Sequence, residues 1–121
     1  MPAKPETLPQ DAVSLAFAEA IAAGDYELAH TMLSARLQEA TSAAQLADDF
    51  NLMTSYADCP PAIRPELLVM EGMNDWPDKQ EGDVGWAYVA MFNNYYSEAV
   101  SVVVSHEQGR NVIREIVWGR P

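Results

Sequence analysis

The sequence predicts an α+β fold in which three N-terminal helices pack on a curved, four-stranded antiparallel sheet. Before residue 60 the chain is rich in Ala and Leu, with apolar residues at helical spacing, and after residue 65 β-branched and aromatic residues dominate. The connections between the predicted strands are short, which favours antiparallel neighbours in a meander. A chain of 121 residues has the length of one domain, so we expect residues 1–121 to form a single unit.

Capping residues and breakers set the predicted bounds of the three helices, at residues 8–23, 26–33 and 43–57. A capping box at Thr7 begins the first helix, and Gly24 ends it in a left-handed conformation. Asp25 and Ser42 are predicted N-caps of the next two helices, and Pro60 ends the third. Residues 34–40 stay open between a continuation of the second helix and a short separate turn.

Four strands are predicted at residues 67–73, 84–93, 95–105 and 111–118. Tight turns are expected at Asn93-Asn94 and Gln108-Gly109. In the third strand Val100, Val102 and Val104 share a face, which we expect to point towards the helices. The other face of the sheet is then exposed or available to a partner.

The last strand carries a charged residue on each face, so its orientation stays open at this point. Glu115 alternates with Ile113 and Val117, whereas Arg114 alternates with the apolar residues at 112, 116 and 118. A two-residue turn at 108–109 would place Glu115 beside Val102 on the inner face. If that assignment is wrong, Arg114 is the charge on the inner face and Glu115 is a surface residue.

The charge balance argues against several classes of partner. Seven Lys and Arg against eighteen Asp and Glu give a formal net charge of −11, which repels nucleic acids and acidic membranes. No apolar run approaches the roughly 18 residues that span a bilayer, and no signal peptide is recognisable. With a single Cys59 and no disulfide, a cytoplasmic protein is expected. Neither metal-ligand spacing nor a phosphate-binding loop is present, so no metal or cofactor is expected.

The order of elements is similar to that of a known superfamily. The run Gly-Asp-Tyr-Glu-Leu-Ala at residues 24–29, Met-Leu-Ser at 32–34, the capping segment at 42–46 and a meander ending near Trp118 resemble the nuclear transport factor 2-like (NTF2-like) superfamily. This resemblance implies a cone-shaped fold whose open end is lined by helix residues and by inward side chains of the sheet. It also implies a homodimer through the exposed sheet face. The superfamily includes isomerases, dehydratases, and transport and scaffold proteins, so the fold alone does not select a function.

Asp49 and Tyr56 are the first candidate site residues. They lie seven residues apart along one edge of the helical stripe that contains Leu46 and Met53, so they and Met53 are candidates to line a pocket. A carboxylate in an apolar cavity can act as a general base, and a phenol can donate to a developing oxyanion. The alternative is that both are boundary residues that face water, as the adjacent Asp48 does.

The remaining candidates each have an ordinary structural explanation as well. Tyr26 and His30 lie four residues apart and form either a polar pair for proton transfer or a simple helical contact. Trp86 and Tyr88 alternate along the second strand and form either an aromatic pocket wall or sheet core. Glu115 on an apolar face requires a partner or a water-filled cavity.

We therefore expect a non-catalytic NTF2-like binding or interaction domain whose ligand the sequence does not identify, and a small apolar molecule is the candidate ligand. The alternative is a small isomerase- or dehydratase-like enzyme acting on an apolar ligand in the cone pocket. In that enzyme Asp49 or Glu115 would be the base, and Tyr56 or Tyr88 would be the hydrogen-bond donor.

Overall fold

The structure, a computed structural model, describes residues 9–60, 63–73 and 79–119. In this part of the chain the helices are Pro9–Ala22 (α1), Tyr26–Thr31 (α2), Ala35–Ala40 (α3) and Ala43–Met53 (α4). The strands are Glu66–Met73 (β1), Asp83–Phe92 (β2), Ser97–Glu107 (β3) and Arg110–Trp118 (β4). This order confirms the predicted α+β class. Among these described helices none combines the length and the apolar composition that crossing a membrane requires.

The helix boundaries follow the capping residues. The side chains of Asp25, Ser34 and Ser42 each accept a hydrogen bond from the backbone N–H three residues further on. Residues 35–40 are therefore a separate short helix. α4 ends at Met53, earlier than the predicted residue 57, and the Thr54 hydroxyl donates to the carbonyl four residues before it. The predicted capping box at Thr7 lies outside the described residues.

The sheet is the predicted meander, with strand order β1-β2-β3-β4 and antiparallel pairing throughout. Glu107 pairs with Arg110 across a two-residue turn. The turn residues Gln108 and Gly109 both have positive φ, 51° and 81°, as the tight turns that match the twist of a hairpin require.

The helices cover one face of this sheet, here called the inner face. Val100, Val102 and Val104 lie on it and are buried, which confirms the predicted direction of the valines. Phe17 and Ile21 of α1 are fully buried in the same cluster. The other buried apolar residues of this core are Ala18, Ala20, Ala29, Leu33, Leu46, Ala87, Val89, Met91 and Ile113.

A glycine allows α1 to approach the inner face closely. The buried side chain of Gln10 lies over Gly85, and a Cβ added there would be 2.4 Å from the Gln10 Cδ. A larger residue at position 85 would therefore displace the Gln10 side chain.

The segment between α2 and α3 joins the edge of the sheet. Leu33 forms an isolated parallel bridge to Ile113. The Ser34 N–H donates to the Ile113 carbonyl at 2.7 Å, and the Ile113 N–H donates to the Met32 carbonyl at 2.9 Å. These bonds fix the short helices against β4.

β4 contains a β-bulge that determines which face of the sheet Glu115 lies on. Val104 pairs with Ile113 but Val103 pairs with Glu115, so Arg114 is an extra residue in the ladder. The bulge shifts the register by one, and Ile116 instead of Glu115 lies opposite Val102 on the inner face. Of the two orientations left open by the sequence, the one that places Glu115 among the inner apolar residues is therefore excluded. Its side chain is exposed on the outer face, and one oxygen is 3.6 Å from Arg114 Nη1.

The bulge residue, Arg114, carries a largely buried charge that is paired with Asp83. Arg114 donates two hydrogen bonds to Asp83, from Nε to Oδ1 at 2.5 Å and from Nη2 to Oδ2 at 2.6 Å. The carboxylate of Asp83 is fully buried, and the Gln80 N–H donates to it at 2.8 Å. The Arg114 hydrogen bonds hold the pKa of Asp83 below its usual range. The ion pair links the first residue of β2 to β4 across β3.

We predict that Asp83→Asn lowers the free energy of unfolding by roughly 3–5 kcal/mol, because the largely buried guanidinium of Arg114 loses its bidentate partner. Glu115→Gln is the matched control, since it removes an exposed carboxylate from the same guanidinium and costs less than about 1 kcal/mol. Urea unfolding measures both. Because the pKa of Asp83 is lowered on folding, its contribution is present above about pH 4 and is lost as the pH falls further. Equal losses in the two variants would contradict this account of the pair.

Candidate functional site

A cavity lies where α4 meets the end of β4. Its volume is about 750 Å³, within the range of sites that bind small molecules. We call it the end cavity. The residues that line it are Asp49, Leu52, Met53, Tyr88, Glu98, Trp118 and Gly119.

One face of α4 supplies the helical wall of the end cavity. Asp49, Leu52 and Met53 are at positions i, i+3 and i+4, which lie together on a helix surface. Met53 also packs against the buried core, whereas Leu52 is 74% exposed. The helical wall therefore runs from the edge of the core out to solvent.

Trp118 forms the wall that the sheet contributes. It pairs with Val100, and therefore lies on the inner face. Its ring is 6.3 Å from the ring of Phe17, centroid to centroid, at an angle of 49°, so the core holds the indole in place. Gly119 follows with φ at 97°, and its N–H donates to the Ala99 carbonyl at 2.8 Å. This turn ends the pairing of β4 next to the cavity.

Tyr88 reaches the end cavity from the other side of the sheet. It pairs with Ser101 on the outer face, where its ring lies 6.1 Å from that of Trp86, centroid to centroid. Because the other wall residues lie on the helical side, the cavity extends around the end of β4. It is a cleft at one end of the sheet, and the space between helices and sheet is filled by the buried core.

Two carboxylates line the same cleft. The Asp49 Oδ1 accepts a hydrogen bond from the Gln45 Nε2 at 2.9 Å. Glu98 precedes the inner-face valines of β3 at the same alternation and pairs with Met91. Within residues 9–60, 63–73 and 79–119 the cavity lining contains no basic side chain. Its polar character is therefore acidic.

A second, smaller cavity of about 360 Å³ contains phenols and the thiol. It is bounded by the end of α1, by α4 and by the segment after α4, and Tyr26, Cys59 and Tyr96 line it. Burial raises the pKa of Tyr26, and it raises the pKa of Tyr96 to about 12. Nearby Cys59 and Tyr56 add to the shift of Tyr96, because their charged forms repel a phenolate. Both phenols are therefore neutral over the ordinary pH range.

The structure brings three of the eight candidate residues into one site and distributes the others. Asp49, Met53 and Tyr88 line the end cavity, whereas Tyr26 lines the second cavity. The partner expected for Asp49, Tyr56, lies outside the end cavity, is 62% exposed, and accepts a hydrogen bond from the Ser97 N–H at 3.3 Å.

The remaining three candidates, His30, Trp86 and Glu115, make contacts within the fold and do not line the end cavity. The His30 Nε2 is 2.8 Å from the Thr41 carbonyl and 3.2 Å from the Gln38 carbonyl, so it donates to the end of α3. Trp86 lies beside Tyr88 on the outer face of the sheet, with the two rings tilted by 37°. Glu115 lies on that same face beside Arg114.

Three side chains of the end cavity were not singled out from the sequence. The alternation that places Val100 inward also places Glu98 inward, so Glu98 was recognisable from the pattern. Leu52 is three residues from Asp49 and follows from helical spacing. Trp118 was not recognisable, because its face depends on the bulge at Arg114.

We predict that ionisation of Tyr96 lowers the stability of the folded protein at alkaline pH. Its pKa rises from 10.0 to about 12 on folding, so the associated stability is fully present below pH 10 and is lost as the pH rises towards 12. In the wild type the midpoint of urea unfolding falls as the pH rises from 10 to 12. In Tyr96→Phe this fall is smaller. Tyr95→Phe, a change of an exposed neighbour, leaves the slope as in the wild type. An identical slope in all three proteins would contradict the assignment.

Comparison with known proteins adds one partial similarity. The chain matches no family model and no solved structure. It is 25% identical over 79 residues to the plasma membrane calcium-transporting ATPase mca-1 of Caenorhabditis elegans, which covers 64% of this chain. The chain spans about 6% of the length of that protein. At this identity and coverage, the similarity does not establish a family for the chain.

Proposed function

We propose that this chain is a non-catalytic binding domain of the NTF2-like kind, whose ligand occupies the end cavity. The observation that carries the proposal is a cleft of about 750 Å³ with an indole wall, Trp118, fixed against the core residue Phe17. A preformed aromatic wall binds a flat apolar group without a cost for ordering the indole. Leu52 and Met53 add apolar surface on the opposite, helical side.

The enzyme alternative has less support in the same geometry. It requires a base and a hydrogen-bond donor in one cavity, and of the residues considered for these roles, Asp49 and Tyr88 meet this condition. Glu115 and Tyr56, the other two residues considered for those roles, do not line the end cavity. The Asp49 carboxylate is also engaged by Gln45.

A second proposal concerns the outer face of the sheet, which we infer to be the contact between two copies of the chain. Leu68 and Val117 on this face are each 53% exposed, and they flank the ring pair of Trp86 and Tyr88. Apolar and aromatic residues at the centre of a face, with charged residues at its margin, are typical of protein interfaces. A two-fold contact would bury the same residues of both copies.

We predict that 1-naphthylmethanol, a neutral aromatic probe, binds with a Kd of roughly 0.1 mM and raises the melting temperature. Leu52→Asp weakens this binding at least about fivefold, because it removes an apolar contact and places a charge in the cleft. Leu28→Asp is the matched control: it changes another exposed leucine, on α2, and leaves the Kd unchanged. Calorimetric titration gives the constants. Binding that is as tight in Leu52→Asp as in the wild type would refute the proposed site.

For the second proposal we predict a dimer in light scattering coupled to gel filtration at micromolar concentration. The double change Leu68→Glu and Val117→Glu produces a monomer, because a two-fold contact brings the introduced charges of both copies together. Leu28→Glu, on the helical side, leaves the dimer intact. A wild-type monomer at every concentration would remove this proposal.

A further inference from the structure

The end cavity combines two features that select the same ligand chemistry. One is the pair of carboxylates, Asp49 and Glu98, and the other is the pair of aromatic rings, Trp118 and Tyr88. Carboxylates attract a positive charge, and the faces of indole and phenol rings attract it as well. A neutral apolar ligand would use the rings but leave both carboxylates without a counter-charge.

In the described part of the chain the carboxylates of Asp83 and Glu115 lie beside Arg114, whereas the two carboxylates of this cleft do not. Asp83 is paired with Arg114, and Glu115 lies 3.6 Å from the same guanidinium. Within residues 9–60, 63–73 and 79–119 no ion pair joins Asp49 or Glu98 to a basic side chain. The Asp49 Oδ1 is bonded to Gln45, which orients the carboxylate without neutralising it. A cation in the cleft would therefore provide the missing charge.

The charge of the whole chain acts in the same direction. A formal net charge of −11 raises the local concentration of cations and lowers that of anions. An anionic ligand would have to overcome both this field and the two carboxylates.

We propose that the ligand of the end cavity is an organic ammonium compound with a flat apolar body. The ammonium group lies between the Asp49 and Glu98 carboxylates, and the apolar body lies against Trp118. This inference rests on the proposed function, since it names the chemical class of the ligand for the same cavity.

Three naphthalene compounds of nearly equal size test the inference. They are 1-naphthylmethylamine, 1-naphthylmethanol and 1-naphthoate, which are a cation, a neutral molecule and an anion at about pH 7. We expect the amine to bind about tenfold more tightly than the alcohol, and the naphthoate to bind most weakly. Because this preference is electrostatic, the ratio of the Kd of the alcohol to the Kd of the amine decreases as NaCl is raised from about 50 mM to about 500 mM.

Charge-removing variants locate the effect. Asp49→Asn and Glu98→Gln each weaken the amine about three- to tenfold and leave the alcohol unchanged. Asp48→Asn is the matched control: it removes the same charge from the adjacent, exposed position of α4 and leaves the ratio of amine to alcohol binding as in the wild type.

The outcomes distinguish the proposal of an ammonium ligand from the proposal that the end cavity is a binding site. If amine and alcohol bind equally, or if Asp49→Asn and Glu98→Gln leave the amine unaffected, the ammonium ligand is wrong while the cavity remains a binding site. Binding of naphthoate that is tighter than binding of the amine would also contradict the ammonium ligand and leave the cavity as a binding site. If none of the three compounds binds, the proposed function fails as well.

Discussion

The arrangement of this protein depends on one extra residue in its last strand. The bulge at Arg114 reverses the direction of every side chain that follows it, because successive residues of a strand point to opposite faces. Without the bulge, Glu115 would enter the core and Trp118 would point to solvent. With it, Ile116 and Trp118 face the helices, and the charged residue at the bulge reaches the buried carboxylate of Asp83. The same local feature therefore excludes an unpaired charge from the core and supplies the aromatic wall of the end cavity.

The end cavity follows from where the covering elements stop. α4 ends at Met53 and β4 at Trp118, and neither extends far enough to fill the space between them. Deeper in the molecule Phe17, Ile21 and Leu46 fill the space between the helices and the sheet. Trp118 and Met53 in the walls of the end cavity pack against the core, whereas Leu52 faces solvent. Such a site combines a fixed aromatic surface with a polar, acidic rim.

Much of the fold could be predicted from the sequence because local chemistry determines it. Asp25 and Ser42 cap their helices, Gly109 permits the tight turn, and alternation directs Val100, Val102 and Val104 inward. The bulge could not be predicted, since no residue type is specific to it and counting from the turn gives the opposite face for Glu115. The site was predicted in part: Asp49, Met53 and Tyr88 meet in one cavity. Glu98 and Trp118 also line this cavity. They are far from Asp49 in the sequence, and the register of the sheet brings them to it.

The register of β3 and β4 is the most direct test of this account, and NMR cross-strand NOEs measure it. The bulge predicts contacts between Val104 and Ile113 and between Val103 and Glu115, together with NOEs from the Trp118 indole to the ring of Phe17. Contacts of Val102 with Glu115, and a Trp118 indole without NOEs to Phe17, would show an unbroken ladder. That result would turn the aromatic wall away from the end cavity and contradict the account.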